Sequence, residues 1–273
     1  MSVISTRSMT AAGLTLTLLP PGPYRATYTP DKPVAGFAFE SQRGVHAFAS
    51  DRVRPFHAQA NGLAYTPAGC SVYSEANEGG EYLTVSGDAT RMASLLPDED
   101  AALPELRFSG RTEAAGVEAA RRLRRLLIAR HAEPLEAECA AAAFLAVVSH
   151  CGGAAWRPAP RAASLTPRRL KMVEDLIEAR LSEALSVADM AACCDLSAGF
   201  FLRAFKAATG QTPHRFLMER RIARVRRLLA DSRISIGETA LSAGFADQAH
   251  LTSAFRRHLG VTPAAIQRAF GVK

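Results

Sequence analysis

The chain has 273 residues, 48% of them hydrophobic and 22% charged, the balance of a folded protein, which excludes a disordered or collagen-like chain. Its net charge of +7 is uneven: residues 1–160 hold 15 Lys/Arg against 16 Asp/Glu, and residues 161–273 hold 18 against 10. A near-neutral front and a basic back describe two modules, the second suited to a polyanion.

Residues 11–20 are apolar, but Leu14, Leu16 and Leu18 alternate with Thr15 and Thr17, which is the period of a strand. No A-x-A-like site follows and one arginine precedes, so the segment is not read as a signal peptide and a cytoplasmic protein is expected. No apolar run reaches the roughly 18 residues of a membrane span, so no membrane partner is expected. The five cysteines (Cys70, Cys139, Cys151, Cys193, Cys194) have no spacing for a disulfide framework or a zinc site.

Residues 10–90 read as β structure. Alternating runs at Leu14–Leu18, Val34–Phe39, Val45–Phe48, Leu63–Thr66 and Tyr82–Val85 are separated by Gly, Pro and Asn clusters, which predicts a small barrel or sandwich. His46 and His57 lie here, but no H-x-H with a spaced Glu accompanies them, so neither metal nor cofactor is expected. Glu75, Glu78 and Glu81 flank a Gly-Gly turn and are expected to be solvated rather than catalytic. No Walker loop, G-x-S-x-G elbow or dinucleotide fingerprint occurs, so no enzyme is expected.

Residues 113–150 change period. Leu123, Leu126 and Leu127, then Leu135, Ala142, Leu145 and Val148, recur at helical spacing, predicting two antiparallel helices joined near His131–Pro134. Arg121, Arg122, Arg124 and Arg125 would form a wet face. This hairpin could cover the β region or pack on a second copy. Residues 152–166 are rich in Gly, Ala, Pro and Arg without periodicity and read as a linker. Then Thr166 caps a helix with Pro167 at its first position, and Leu170, Val173, Ile177 and Leu181 form its apolar stripe. The expected fold is therefore α+β in two domains, with boundaries at 1–151, 152–166 and 167–273.

The last hundred residues contain an internal repeat. Ala204-Phe205-Lys206 recurs as Ala254-Phe255-Arg256, and Gly210-x-Thr212-Pro213 recurs as Gly260-x-Thr262-Pro263, both offset by 50. Upstream the offset is 49: Ser186-Val187-Ala188-Asp189 matches Ser235-Ile236-Gly237-Glu238, and each is a capping box. The one extra residue falls within Gly244–Ala246. Each repeat therefore predicts a short helix, a turn and a second helix: about 187–194 and 198–209, then about 236–243 and 247–258. Ser197 and Asp247 would cap the second helices. Phe201, Phe205, Leu251 and Phe255 would enter the core. A long helix at about 214–230 joins the repeats through Phe216, Ile222, Val225 and Leu229.

The stretch from Leu185 to Ile266, ending in a GFxDQxHLxxAFRRHxGxTP-like segment, resembles the DNA-binding domain of AraC/XylS-type bacterial regulators. The resemblance covers about 165–270. It implies a double helix-turn-helix domain that binds double-stranded promoter or operator DNA, most often as an activator that helps RNA polymerase. The strands and helix pair upstream are similar to the cupin-like sensing and dimerisation domains often found in that family, which implies a small-molecule effector and a homodimer.

On this reading the DNA-facing positions are Ala198, Gly199, Leu202, Arg203 and Lys206 in the first repeat. In the second they are Gln248, Ala249, Thr252, Ser253 and Arg256. Arg203 is suited to guanine O6 and N7, Leu202 to a thymine methyl, and Gln248 to adenine. Lys206, Arg220, Arg221, Arg224, Arg256 and Arg257 are expected phosphate clamps. Family members more often carry larger or polar residues where Gly199 and Leu202 stand, and Arg where Ser253 stands. Two other readings remain open: a cupin-like enzyme domain with a DNA-binding appendage, and an effector-independent DNA binder.

Overall fold

The computed structural model describes residues 6–97, 101–129, 133–153, 164–229 and 234–271. The chain divides into two compact units, Ile4–Arg157 and Pro158–Lys273.

The first unit contains ten strands and three helices among the described residues: β1 (Arg7–Ala11), β2 (Leu14–Leu19), β3 (Tyr24–Tyr28), β4 (Val34–Ala38), β5 (Gln42–Phe48), β6 (Arg54–Ala58), β7 (Gly62–Thr66), β8 (Val72–Glu78), β9 (Tyr82–Gly87), α1 (Ala89–Ala93), β10 (Phe108–Arg111), α2 (Ala114–Ala129) and α3 (Pro134–Gly152). The strands form two antiparallel sheets, one of order β1-β2-β9-β4-β7-β10 and one of order β3-β8-β5-β6. Each sheet has two edge strands, so the β region is a pair of open sheets and not the closed barrel that the strand spacing also allowed.

Register explains which face of the larger sheet is core. Leu18 pairs with Leu83, Leu83 with Phe37, and Phe37 with Leu63. A parallel row runs Leu16, Val85, Ala35, Tyr65. All eight are at most 3% exposed. Each fully buried Leu, Val or Phe is worth about 1.5–3 kcal/mol, so these rows outweigh solvent-screened surface pairs such as Arg25–Glu75. Phe37 meets Phe144 of α3 edge-on at 6.4 Å, and Leu63 lies against Gly116 of α2. The helix pair therefore covers this face.

Helix α3 starts with Pro134 at its first turn, as expected. Its buried stripe is Ala137, Ala140, Ala141, Phe144, Leu145, Val148 and Cys151. Leu135 is 70% exposed and does not belong to it. Contrary to the expectation from apolar run lengths, α3 is 19 residues long and apolar enough to cross a bilayer by length and composition, while its stripe packs in the core. Burial pushes the Cys151 thiol up to about 12, so this cysteine behaves as a small hydrophobe.

Two charge readings are corrected. Arg121 and Arg124 are 3% and 4% exposed and do not form a wet face. Glu81, expected in solvent, is 1% exposed and pairs with Arg124 at 3.4 Å. Glu75 bonds Arg25 and Tyr73, and these bonds hold its carboxyl below the usual range.

The second unit is helical: α4 (Pro167–Ala179), α5 (Val187–Ala192), α6 (Ala198–Thr209), α7 (Pro213–Leu228), α8 (Ile236–Ser242), α9 (Gln248–Leu259) and α10 (Pro263–Gly271). Thr166 caps α4 through the Arg169 amide at 3.3 Å. Leu170, Val173, Ile177 and Leu181 are all at most 3% exposed, as the stripe predicted. Most of the expected linker lies outside the described residues.

Candidate nucleic-acid interface

The two repeats are built by the same local chemistry. Before α5 the Asp189 amide donates to Ser186 Oγ at 3.1 Å, and the Ser186 amide donates to Asp189 Oδ2 at 2.8 Å. Before α8 the Glu238 amide donates to Ser235 Oγ at 3.1 Å, and the Ser235 amide donates to Glu238 Oε2 at 2.9 Å. The serine hydroxyl, and after it the serine amide, donate to each acid and hold the Asp189 and Glu238 carboxyls below the usual carboxylate range. A depressed carboxyl stabilises the fold at neutral pH, and that contribution is lost as pH falls through its folded pKa.

The turns match as closely. The Leu196 amide donates to Ala191 O at 3.1 Å, and the Phe245 amide donates to Ala240 O at 2.9 Å. In each turn the preceding residue is left-handed: Asp195 at φ +53° and Gly244 at φ +85°. These landmarks keep the offset of 49 through Phe245. The caps that follow, Ser197 and Asp247, are 50 apart. Ala246 is therefore the inserted residue, within the turn where it was expected. Asp195 holds a conformation that suits glycine better. Asp195→Gly is expected to raise stability by about 0.5 kcal/mol, read as a higher urea midpoint. A lower midpoint would mean that the aspartate side chain contributes more than its backbone strain costs.

Helices α6 and α9 begin at those caps and end at Gly210 and Gly260, at φ +71° and +75°. Phe201, Ala204, Phe205 and Thr209 are buried in α6, and Leu251, Ala254, Phe255 and Leu259 in α9. Phe205 stands between Phe201 and Phe216, with ring centroids 5.5 and 5.4 Å away. Burial of one stripe fixes what the other face presents. Ala198, Gly199, Leu202, Arg203 and Lys206 are exposed on α6, as are Gln248, Ala249, Ser253 and Arg256 on α9. Thr252 is half-buried, and its hydroxyl donates to Gln248 O at 2.8 Å. Among the described residues a Cβ built on Gly199 would meet only Arg203 Nη1, at 3.9 Å, so the Arg203 side chain lies back along the open surface of α6.

The arginines of α7 divide into two kinds. Arg224 and Arg227 are exposed, as is Arg257 on α9. Arg221, expected to clamp phosphate, is instead 9% exposed. Its Nε donates to Leu181 O at 3.0 Å and its Nη2 to Glu183 O at 2.6 Å, and burial lowers its pKa. It fastens α7 to the segment between α4 and α5. Arg220 is likewise turned inward, with its side chain 17% exposed and paired with Glu178 of α4 at 2.6 Å. His258 Nδ1 lies 3.2 Å from Glu219, linking α9 to α7.

Phe200 was missed by sequence reasoning. It is 37% exposed beside Gly199. The Phe200-Phe201 pair carried the signal: consecutive residues lie 100° apart on a helix, so one of the two had to leave the core.

Residues 190–269 match the family model described as "Helix-turn-helix domain". "Probable transcriptional regulator LumQ" of Photobacterium leiognathi is 32% identical over 101 residues, which are 36% of this chain and 41% of that protein. "HTH-type transcriptional activator RhaS" of Escherichia fergusonii is 36% identical over 103 residues, 38% of this chain and 37% of that protein. Among solved structures, an AraC-type regulator from Chromobacterium violaceum is 31% identical, with TM-score 0.36, over 38% of this chain and 93% of that one. The chain thus spans about two fifths of the length of the curated relatives it matches. The second unit carries an AraC/XylS-type helix-turn-helix domain.

Proposed function

We propose that the chain is a sequence-specific DNA-binding transcription regulator that acts as an activator from the cytoplasm. Helices α6 and α9 enter adjacent major-groove segments of a promoter. The exposed residues Ala198, Gly199, Leu202, Arg203, Gln248, Ala249 and Ser253, with the half-buried Thr252, face the base edges, while Lys206, Arg224, Arg256 and Arg257 face phosphates. RNA polymerase is the downstream partner. The two-sheet unit, a cupin-like domain in this reading, senses an effector and pairs with a second copy.

One observation carries this reading: the same helix-turn-helix occurs twice, and in both copies the second helix buries one stripe and exposes the other. An enzyme with a DNA-binding appendage would need a catalytic constellation. The catalytic motifs sought in the sequence supply none, and the curated relatives are regulators.

The test is selection of bound fragments from a random DNA pool by the full chain at near-physiological salt. The expected product is a site with two blocks about one helical turn, or 34 Å, apart. Sequence-blind, salt-sensitive binding alone would overturn the reading. Arg203→Ala should cost about 1–3 kcal/mol at one position of the selected site and relax preference there. Equal weakening on every sequence would move Arg203 to the phosphates.

A further inference from the structure

The face of the larger sheet away from α2 and α3 has a different character from the core. Alternation along β9 puts Leu83 and Val85 on the helix side and Tyr82 and Thr84 on the other. The Tyr82 ring lies across Gly36, where any Cβ would collide with the ring and its hydroxyl. Glycine is required there because the tyrosine needs the space. The Tyr82 hydroxyl is desolvated, which pushes its pKa up, and it lies within electrostatic range of Tyr28 and Tyr24 of β3 and of Arg107. The two sheets therefore face each other at this point.

Arg107 is the unusual member. It is half-buried, and its guanidinium carbon sits 3.2 Å from the centroid of the Phe48 ring. Among the described residues its Nε is buried without a hydrogen-bond partner. Desolvation lowers its pKa, and the groups that act against this are Tyr82, Cys70 and Tyr28. None of them is a carboxylate. An arginine cannot escape burial by losing its proton. A cation–π contact returns only about 0.5–2 kcal/mol, and a buried charge is ordinarily paired. Around it stand flat surfaces: His46 is stacked on Phe56 at 4.9 Å and meets Phe48 edge-on at 4.7 Å.

We infer that Arg107, with the hydroxyls of Tyr82 and Tyr28, forms a binding site for a small organic monocarboxylate whose apolar or aromatic body lies against Phe48, His46 and Phe56. A guanidinium fork and phenol donors match one carboxylate in charge and geometry, and a single cation balances a single negative charge. In its consequence for regulation this site rests on the effector-sensing part of the proposed function; the binding itself does not.

The experiment is thermal unfolding and titration calorimetry of the full chain with phenylacetate and hexanoate, against phenylacetamide, hexanamide and acetate. The two carboxylates with apolar bodies should raise the unfolding midpoint saturably. The amides, which lack the charge, and acetate, which lacks the body, should not. Arg107→Met should weaken carboxylate binding at least tenfold while leaving DNA binding without ligand unchanged, since it removes an unpaired charge far in sequence from α6 and α9. Tyr82→Phe keeps the ring and removes one donor, and should weaken binding several-fold even if Arg107→Met fails to fold. Equal shifts with amides, no shift with either carboxylate, or unchanged binding in both variants would overturn the inference. A DNA site selected by a protein that ignores carboxylates would leave the regulator reading standing. Carboxylate binding by a protein that selects no DNA site would do the reverse.

Discussion

Gly244→Ala is expected to destabilise the second unit by about 3 kcal/mol, the sum of a left-handed strain of about 1–2 kcal/mol and an overpacking cost of similar size. Gly244 has φ +85°, and a Cβ there would stand 2.5 Å from Leu181 O, 2.8 Å from Arg221 Nε and 2.9 Å from Arg221 Cζ. The first of these is backbone and cannot swing away. The others belong to a guanidinium already held by Leu181 O and Glu183 O. Gly260→Ala is the control. Gly260 has φ +75° and, among the described residues, nothing within 4 Å of the added Cβ, so only the strain of about 1–2 kcal/mol remains. Urea unfolding of both variants isolates the packing cost as their difference; equal losses would mean that the Leu181–Arg221–Gly244 contact can open without cost. The contact also joins the turn before α9 to the segment after α4 by way of α7. A Gly244→Ala protein that still folds should therefore lose affinity for a two-block DNA site more than for either block alone, because the spacing between recognition helices depends on this joint.

The second unit was legible in the sequence because its signals are local. Capping boxes at Ser186 and Ser235, caps at Ser197 and Asp247, and prolines at helix starts each act within one turn of the chain. The helix bounds follow to within a residue or two. What the sequence concealed was the fate of individual arginines. Arg221 and Arg224 look alike in a run of eight residues holding five arginines, and only tertiary packing separates the one buried at Leu181 from the exposed one. The first unit was less legible for a related reason. Strands with one buried side, such as Leu14–Leu19, alternate cleanly. Strands β6, β8 and β10 do not alternate regularly in exposure, so their residues carry no such clean period. Strand β1 is joined to β2 by Ala12-Gly13, with both residues at positive φ, a hairpin turn that usually announces itself with Asn or Asp. Helix α3 is apolar on nearly every side, which hid its true stripe and made Leu135 look like core.

Arg124→Met is expected to cost about 3–5 kcal/mol, because it takes the guanidinium away from a carboxylate that water barely reaches. Glu81 is 1% exposed and Arg124 4%, with 3.4 Å between them, and Arg124 also lies over Phe39 at 4.4 Å. Glu81→Leu combined with Arg124→Met should recover most of the loss, since a buried ion pair replaced by apolar groups is often neutral or better. Urea midpoints of the single and double variants decide this; a cost for Arg124→Met below about 1 kcal/mol would place the pair among ordinary surface bridges. If the double variant is stable, the pair has a different use. Glu81 immediately precedes β9, and the Phe39 amide donates to its carbonyl at 3.0 Å. A strand that slips by one residue exchanges its two faces. Fastening Glu81 to α2 keeps Leu83 and Val85 under the helices and Tyr82 on the opposite side, beside Arg107. The double variant should then unfold as late as the parent yet bind carboxylates less well, because the register that presents Tyr82 is no longer held by charge.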